Sequence, residues 1–318
     1  MRARRQRGAA LLLAMLILTL VATLAAGMVW QQQRAVNVEA AERARVQAAW
    51  ILNGALDWAR LILREDGRSG GVDHLGEPWA TPLAEGRLSA FLAVDRDNNT
   101  DSGPDAFLSG AIVDAQSRYN LRNVVGPDGK VPKDEMATLA KLCDMAGAPS
   151  DTASRLAESL RAAYAPPSNE AVDTTAPLAP TRVSELVWLG LDGATITRLQ
   201  PFVEVLPVRG TALNLNTASG EVIAAVLNVD LGTAERLVQS RQRNPFSTVD
   251  EVKPQLPGDF KLDPARVSVG SSWFEVSGRL RLDDRILEER TLLQRTGQGA
   301  ANVVAVRRER RSSLGGQP

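Results

Sequence analysis

Residues able to perform covalent chemistry are scarce in this sequence. It contains one cysteine, Cys143, and one histidine, His74, among 318 residues. A zinc cage needs several thiolate or imidazole ligands, and any Ser-His-Asp triad would have to recruit His74 from a glycine-flanked stretch. The composition therefore excludes internal disulfides and the usual zinc sites, and we expect no enzyme activity.

Oxygen ligands for a metal ion alternate in one short segment. They are Asp95, Asp97, Asn99 and Asp101. This spacing is like the opening of a calcium-binding loop, but an EF-hand needs glycine at its sixth position and glutamate at its twelfth. The sequence has Thr100 and Ala106 there. The segment is either a solvated acidic turn or a calcium site of another geometry, and no cofactor is otherwise required.

A third pattern is relevant to nucleic acids. Residues 214–218 followed by residues 241–246 resemble helix-hairpin-helix DNA receptors of the competence type, which hold phosphate on hairpin amides. Here the hairpin, residues 228–232, lacks the first glycine and places Asp230 where phosphate would lie. With 37 basic and 37 acidic residues the chain has no overall positive field. A packing role is favoured, and a membrane-anchored periplasmic DNA-binding protein is the alternative function.

The N-terminal region predicts one long helix that would support the rest of the chain. Residues 9–30 carry no charge and span about 33 Å as a helix, enough to cross a bilayer. Residues 31–65 contain no proline and are rich in good helix formers, so we expect an amphipathic continuation. An apolar stripe in this half is predicted to pack on a globular head. The stripe comprises Ile51, Ala55, Trp58 and Ile62.

The charge distribution around the apolar segment predicts its orientation. The leader contains Arg2, Arg4, Arg5 and Arg7. Basic residues stay in the cytoplasm, so the C-terminal part is expected on the outer side of the membrane, which in a bacterium is the periplasm. A cleavable secretory signal cut near Ala26 is the alternative, but the apolar run is longer than usual and the helical pattern continues beyond it.

The basic leader, residues 1–8, ends at Gly8 directly before the apolar helix. This arrangement resembles the class III signal of type IV pilins and type II secretion pseudopilins. The resemblance implies cleavage by prepilin peptidase between Gly8 and Ala9 and methylation of the new amino terminus. Pilins carry glutamate at the fifth mature position, where this sequence has Leu13. Because that glutamate pairs with the amino terminus of a neighbouring subunit, a subunit without it is expected at a filament end.

Further motifs are similar to those of the type II secretion protein K family. Residues 112–121 resemble its I-x-D-x-x-G-x-x-N-L pattern, with Ser117 in place of glycine. Its S-E-L, L-x-P-x-x-x-x-L-P and N-x-N-T-A motifs follow in order at residues 184–186, 199–207 and 214–218. The resemblance implies a minor pseudopilin at the pseudopilus tip, needed for pseudopilus assembly or length control and for export of folded proteins across the outer membrane.

The same resemblance implies the partners and the location. The partners would be other minor pseudopilins of the tip complex, the major pseudopilin, prepilin peptidase and the inner-membrane secretion platform. The protein would cross the inner membrane once, with a cytoplasmic N-terminus and a periplasmic C-terminal domain. Binding to nucleic acid is not expected.

An internal repeat indicates two similar helical units. Thr195, Arg198 and Leu199 recur 38 residues later as Thr233, Arg236 and Leu237. We therefore expect an α+β fold: a long membrane-spanning helix packed on a pilin-like antiparallel sheet that is interrupted by a large α-helical insertion with SAM-like or helix-hairpin-helix units. The expected segments are pilin-like strands at 66–125, helical units at 126–209 and 210–265, C-terminal strands at 266–296 and a disordered tail at 297–318.

Overall fold

The computed structural model describes residues 6–88, 106–164, 176–258, 260–282, 285–297 and 302–314. The α-helices are α1 Gln6–Ser69, α2 Lys133–Met145, α3 Thr152–Ala163, α4 Gly193–Leu199, α5 Gly220–Leu227 and α6 Leu231–Arg243. The strands are β1 Leu83–Arg87, β2 Ala106–Asp114, β3 Tyr119–Asn120, β4 Val203–Glu204, β5 Leu213–Asn214, β6 Val267–Ser268, β7 Trp273–Leu282, β8 Arg285–Thr296 and β9 Asn302–Leu314. Short 3-10 segments connect several of them.

Helix α1 is continuous over 64 residues, about 96 Å at ~1.5 Å per residue. The prediction of one helix running from the apolar segment into an amphipathic one is confirmed. The helix ends where Gly70 adopts a left-handed φ of 71°, a conformation that glycine reaches without strain. Residues 9–40 are exposed to solvent in the isolated chain, and only the last third of α1 packs on the head.

The predicted packing stripe on α1 is displaced by about one residue. The buried side chains are Ala48, Leu52, Leu56, Ala59 and Leu63. Ile51, Ala55 and Ile62 lie at the margin of the contact, whereas Trp58 is 58% exposed. Alanines and leucines fit the close approach of helix to sheet, where Leu52 lies against Gly278. The bulky tryptophan is turned outward, so that part of the prediction is wrong.

The main sheet lies under the last third of α1 and, within the described ranges, has the strand order β1-β2-β7-β8-β9. All of its neighbours are antiparallel. Strands β1 and β2 lie within the region 66–125 in which pilin-like strands were predicted, and β7 and β8 lie within the predicted C-terminal strand region, 266–296. Strands β2 and β7 are adjacent although the whole helical domain separates them in sequence, so the sheet depends on a pairing between distant parts of the chain.

The prediction of a disordered C-terminal tail is wrong. Residues 302–314 form β9, which pairs with β8 along its full length. The Gly-Gly-Gln-Pro end of the tail favours disorder, but β8 contains buried Glu289, and guanidinium groups of β9 contact its carboxylate. Opposite charges that meet across a sheet stabilise a strand that its own composition does not predict. Residues 298–301 and 315–318 lie outside the described part.

The helical domain forms one hydrophobic core separate from that under α1. It begins earlier than the predicted boundary at residue 126, because Tyr119 and Leu121 belong to its core and β3 pairs with β4. It also ends later, since Val267 of β6 pairs with Leu213. The short parallel pairs β3–β4 and β5–β6 therefore close the domain at both ends, while the segments that connect it to the sheet are residues 115–118 and 269–272.

The predicted internal repeat is present at the level of single hydrogen bonds. Asp192 caps α4 by accepting from the Thr195 amide at 2.9 Å, and Asp230 caps α6 by accepting from the Thr233 amide at 2.9 Å. In both places the threonine hydroxyl donates to the other carboxylate oxygen at 2.6 Å. An arginine one turn later donates to that hydroxyl in both units. The repeat thus encodes two matching helix starts.

Candidate functional site

The membrane half of α1 presents apolar side chains on all sides. Among the described residues, one helix is long and apolar enough to span a membrane, and the window that meets this test is not buried in the protein. The hydroxyls of Thr19 and Thr23 donate to the carbonyls of Leu16 and Leu20 at 2.9 Å, which satisfies them without water. The segment ends where the Arg34 guanidinium lies over the Trp30 ring, a pair typical of the membrane interface. These features fit a single-pass anchor.

The predicted processing residues lie at the beginning of this helix. Gly8 and Ala9 are in the first turns of α1, and Leu13 follows one turn later with 59% of its surface exposed. A leucine here is compatible with hydrocarbon, whereas a glutamate would need a cationic partner. The structure shows where these residues lie, and cleavage at this bond stays a prediction.

The amphipathic half of α1 has a second apolar face that sequence reasoning missed. It comprises Val46, Trp50, Trp58 and Leu61, with exposed fractions of 53, 72, 58 and 46%. We call this set the outer stem face. Gly54 lies between the tryptophans and has open space around it. The recurrence of bulky apolar residues at helical spacing on the side opposite Leu52 was the available signal. An apolar face of this kind on an aqueous segment indicates a protein contact.

The helical domain is attached to the sheet through a buried polar cluster around Asp114. One carboxylate oxygen accepts from the Ser271 and Thr217 hydroxyls, both at 2.6 Å, and from Asn214 Nδ2 at 3.0 Å. The other oxygen accepts from the Gln116 amide at 2.7 Å. Burial raises the pKa of Asp114, against the lowering effect of these four donors. We refer to Asp114 with these donors as the joint.

The sequence motifs therefore have structural roles. Asp114 belongs to the I-x-D motif, while Asn214 and Thr217 belong to the N-x-N-T-A motif about a hundred residues later. In the same motif the Asn216 side chain exchanges two 2.9 Å hydrogen bonds with the Phe246 backbone. Asn120 accepts from the Leu206 amide at 3.0 Å and so holds the L-x-P-x-x-x-x-L-P segment. These residues hold the segments of the head together.

Arg295 fixes the end of α1 to the joint, a role that no local sequence pattern predicts. Its guanidinium donates to Asp66 at 2.7 Å and to both oxygens of Asp73 at 2.6 Å, and it lies over the Phe274 ring. Asp73 in turn accepts from the Ser271 amide at 2.6 Å. The ion pairs of Arg295 with Asp66 and Asp73 span 229 and 222 residues, so only the folded chain brings these groups together.

Asp66, Asp73 and Glu77 place carboxylate oxygens within 4.8 Å of one another. Burial raises the pKa of Asp73 to about 6 even though Arg295 opposes the shift. Burial also raises the pKa of Glu77 to about 7, although the His74 amide and the Trp79 indole donate to it. Arg295 already supplies positive charge to Asp66 and Asp73. Together these three residues form an ion-paired brace between stem and head.

The hairpin considered for DNA is closed to phosphate. The Asp230 carboxylate accepts from the Thr233 amide at the start of α6 and so places a negative charge where a bound phosphate would lie. The preceding carbonyls of Ala224 and Val229 accept from the Lys141 ammonium group. The segment is thus packed and capped internally, as the packing interpretation predicts.

The remaining candidates do not form a reactive centre in the described part of the chain. His74 Nδ1 accepts from the Gly76 amide at 3.1 Å within its own turn. Cys143 is buried, and burial raises the pKa of its thiol to about 11, so it is a poor nucleophile. The possible calcium ligands Asp95, Asp97, Asn99 and Asp101 lie outside the described residues, and calcium binding stays a prediction.

Similar proteins identify this arrangement of stem, sheet and helical domain. The family description "Type II secretion system (T2SS), protein K" matches residues 117–208 and 213–269. Type II secretion system protein K of Pseudomonas aeruginosa is 32% identical, covering 95% of this chain and 92% of that protein. The chain belongs to the type II secretion system protein K family. It is therefore a minor pseudopilin, and the alternative of a DNA-binding receptor is not favoured.

Other members and a solved structure agree with this placement. Type II secretion system protein K of Pectobacterium carotovorum is 28% identical, with 92% of this chain and 94% of that protein covered. A chain in the crystal structure of the GspK-GspI-GspJ complex from enterotoxigenic Escherichia coli has the same fold, with a TM-score of 0.63 at 20% identity. The alignment covers 86% of this chain and 99% of that one. Two of the motifs quoted above, I-x-D and N-x-N-T-A, contribute residues to the joint.

Proposed function

We propose that this protein K family member caps the tip of the type II secretion pseudopilus, with its N-terminus in the cytoplasm and its head in the periplasm. The role is assembly or length control, in support of export of folded proteins, and is structural rather than catalytic. The basic leader and the apolar half of α1 support the orientation.

One observation supports the tip position above all others. Arg295 connects the joint to Asp66 at the C-terminal end of α1 and to Asp73 just beyond it. The helical domain is therefore attached at the end of the stem farthest from the membrane. A further subunit stacked above would meet this domain. Leu13 also lacks the charge that would pair with a neighbouring amino terminus.

The first experiment tests entry into the pseudopilin pathway. In cells that contain prepilin peptidase, mass spectrometry of the mature protein is expected to give Ala9 as the first residue, with a methylated amine. Gly8→Glu is expected to leave the full-length precursor in the membrane. Ala10→Ser, a small change within the same turn, serves as the control. A mature terminus near Ala26 would instead show an ordinary secretory signal and contradict the proposal.

The second experiment tests assembly with other minor pseudopilins, as in the GspK-GspI-GspJ complex of a relative. We propose that the outer stem face packs against stem helices of those subunits, since aromatic side chains dominate the energy of many interfaces. Trp50→Glu combined with Trp58→Glu is expected to lower co-purification of the other minor pseudopilins at least tenfold. The head should remain folded, because both side chains are exposed.

Val187→Glu is the matched control, because Val187 is 55% exposed but lies in the helical domain. It is expected to leave co-purification unchanged. If the tryptophan variant recovers the same amount of partner subunits as the wild type, the outer stem face is not the assembly surface. If Val187→Glu alone abolishes recovery, the partners bind the head instead of the stem.

A further inference from the structure

Strand β9 forms an open edge of the main sheet. No described strand pairs with its outer side, and most of its side chains are exposed. The opposite edge is the five-residue strand β1, whereas β9 has 13 residues. Edge strands carry unpaired N–H and C=O groups that can add another strand, and proteins usually keep such edges short or covered. A long open edge therefore requires an explanation.

A groove of about 410 Å³ lies between α1 and the first three residues of β9. Its lining includes Arg64, Leu61, Val304 and Arg60, and the one acidic residue of the lining, Asp57, is paired with Arg60 at 3.1 Å. The Arg60 Nε group donates to the Val303 carbonyl at 2.9 Å and fixes the strand to the helix. Leu61 and Val304 are 46 and 44% exposed, so apolar surface remains open on both walls. The groove can receive an extended chain that lies beside β9.

One cationic group in the groove lacks an acceptor. Arg64 Nε is buried without a hydrogen-bond partner among the described residues. A buried donor without an acceptor costs about 1–3 kcal/mol, and the cost is greater for a charged group. Arg64 also lines the groove, so a carboxylate that entered it would meet a guanidinium group that has no ion pair among the described residues. The groove therefore selects for an acidic side chain near the N-terminal end of β9.

The remainder of the edge is mainly cationic, and its one carboxylate, Glu309, is paired with Arg182 and Arg307. On the side of the sheet that faces α1, Arg308 and Arg310 share the single carboxylate of Glu289. Their side chains remain 41 and 36% exposed. Arg311 is exposed and has no ion pair among the described residues. Two copies of β9 would bring arginines opposite arginines, which is unfavourable. The charge thus disfavours self-association and favours an acidic strand.

From these observations we infer that β9 and the groove beside it bind an extended acidic segment of a partner protein, which adds to the sheet as a sixth strand. Backbone hydrogen bonds to β9 would supply affinity, as in other cases of strand addition. Acidic side chains at every second position would lie on one face of the added strand, against Arg64 at one end and Arg308 and Arg310 further along. This surface shares Leu61 with the outer stem face but includes neither of its tryptophans.

The test uses the full-length protein in detergent micelles and a fluorescent seven-residue peptide of alternating glutamate with threonine or valine. Fluorescence anisotropy is expected to show binding at least tenfold tighter than that of the same peptide with lysine for glutamate. Arg64→Gln is expected to weaken the glutamate peptide at least fivefold. Arg45→Gln, on the same helix but outside the groove, should leave the affinity unchanged.

Two further measurements separate strand addition from simple charge attraction. Two glutamate peptides are used, each N-methylated at one of the two sets of alternate residues. The peptide whose methylated N–H groups would face β9 is expected to lose binding, and the other is expected to keep it. Hydrogen exchange of wild-type protein should show slower exchange of alternate amides in β9 when the unmodified peptide is added. Equal binding of both methylated peptides, unchanged exchange in β9, or equal binding of the lysine peptide would each overturn the inference. So would self-association through β9 that the peptide does not displace.

Discussion

Replacing Asp114 by alanine is expected to lower the free energy of unfolding by about 3–5 kcal/mol, because removing one member of a buried polar cluster leaves the others unsatisfied. Three side-chain donors and one amide converge on this carboxylate. We expect urea unfolding to begin with separation of the helical domain from the sheet. Tryptophan fluorescence should report it, since Trp273 is buried next to the joint.

Two controls define this result. Asp128→Ala removes an exposed carboxylate that accepts one amide at 3.1 Å, and we expect it to cost less than about 0.5 kcal/mol. Asp114→Asn keeps the size and one acceptor oxygen, and should retain part of the stability. A midpoint for Asp114→Ala equal to that of Asp128→Ala would show that the joint does not hold the head together.

Deleting residues 298–318 is expected to destabilise the sheet by at least about 3–5 kcal/mol, the usual cost of breaking a buried ion pair by removal of one side. Glu289 is 4% exposed, and its carboxylate contacts Arg308 at 3.2 Å and Arg310 at 2.5 Å. Without β9 this charge stays buried under α1 with neither guanidinium group. Chemical unfolding of the truncated protein in micelles measures the loss.

A substitution in the truncated protein separates the effect of the unpaired buried charge from the effect of losing the strand pairing. Glu289→Gln in the truncated protein removes the buried charge and should recover part of the lost stability. In the full chain Arg308→Ala with Arg310→Ala should give a similar loss, while Arg311→Ala, at an exposed position of the same strand, should have little effect. If truncation leaves the unfolding midpoint unchanged, β9 contributes nothing to the sheet.

Local patterns predicted several parts of the fold correctly. The long apolar segment and the helix formers after it were sufficient for α1, because both membrane insertion and helix formation depend on a contiguous stretch of sequence. The repeat at offset 38 identified two helix starts, since Asp192 and Asp230 each cap their helix within three residues. The motifs indicated the family from the types and order of their residues alone.

Local sequence patterns did not predict contacts between residues that are far apart in the chain. The motifs around Asp114 and Asn214 carried the resemblance, but nothing in their spacing showed that the two side chains meet across a distance of 100 residues. The exposed tryptophans on α1 show the same limit. Helical periodicity locates two apolar faces, while the close approach at Gly278 determines which face is buried.

The sequence by itself determined the anchor, the orientation expected from its basic leader, the family and the helical repeat, because each depends on residues close together in the chain. Only the tertiary structure decided that the arginine-rich tail is strand β9, that Arg295 braces the stem, and that an open cationic edge remains. The physical reason is that a buried carboxylate such as Glu289 or Asp73 determines the place of its partner through charge and burial. Both properties depend on the packing of residues that lie far apart in the chain.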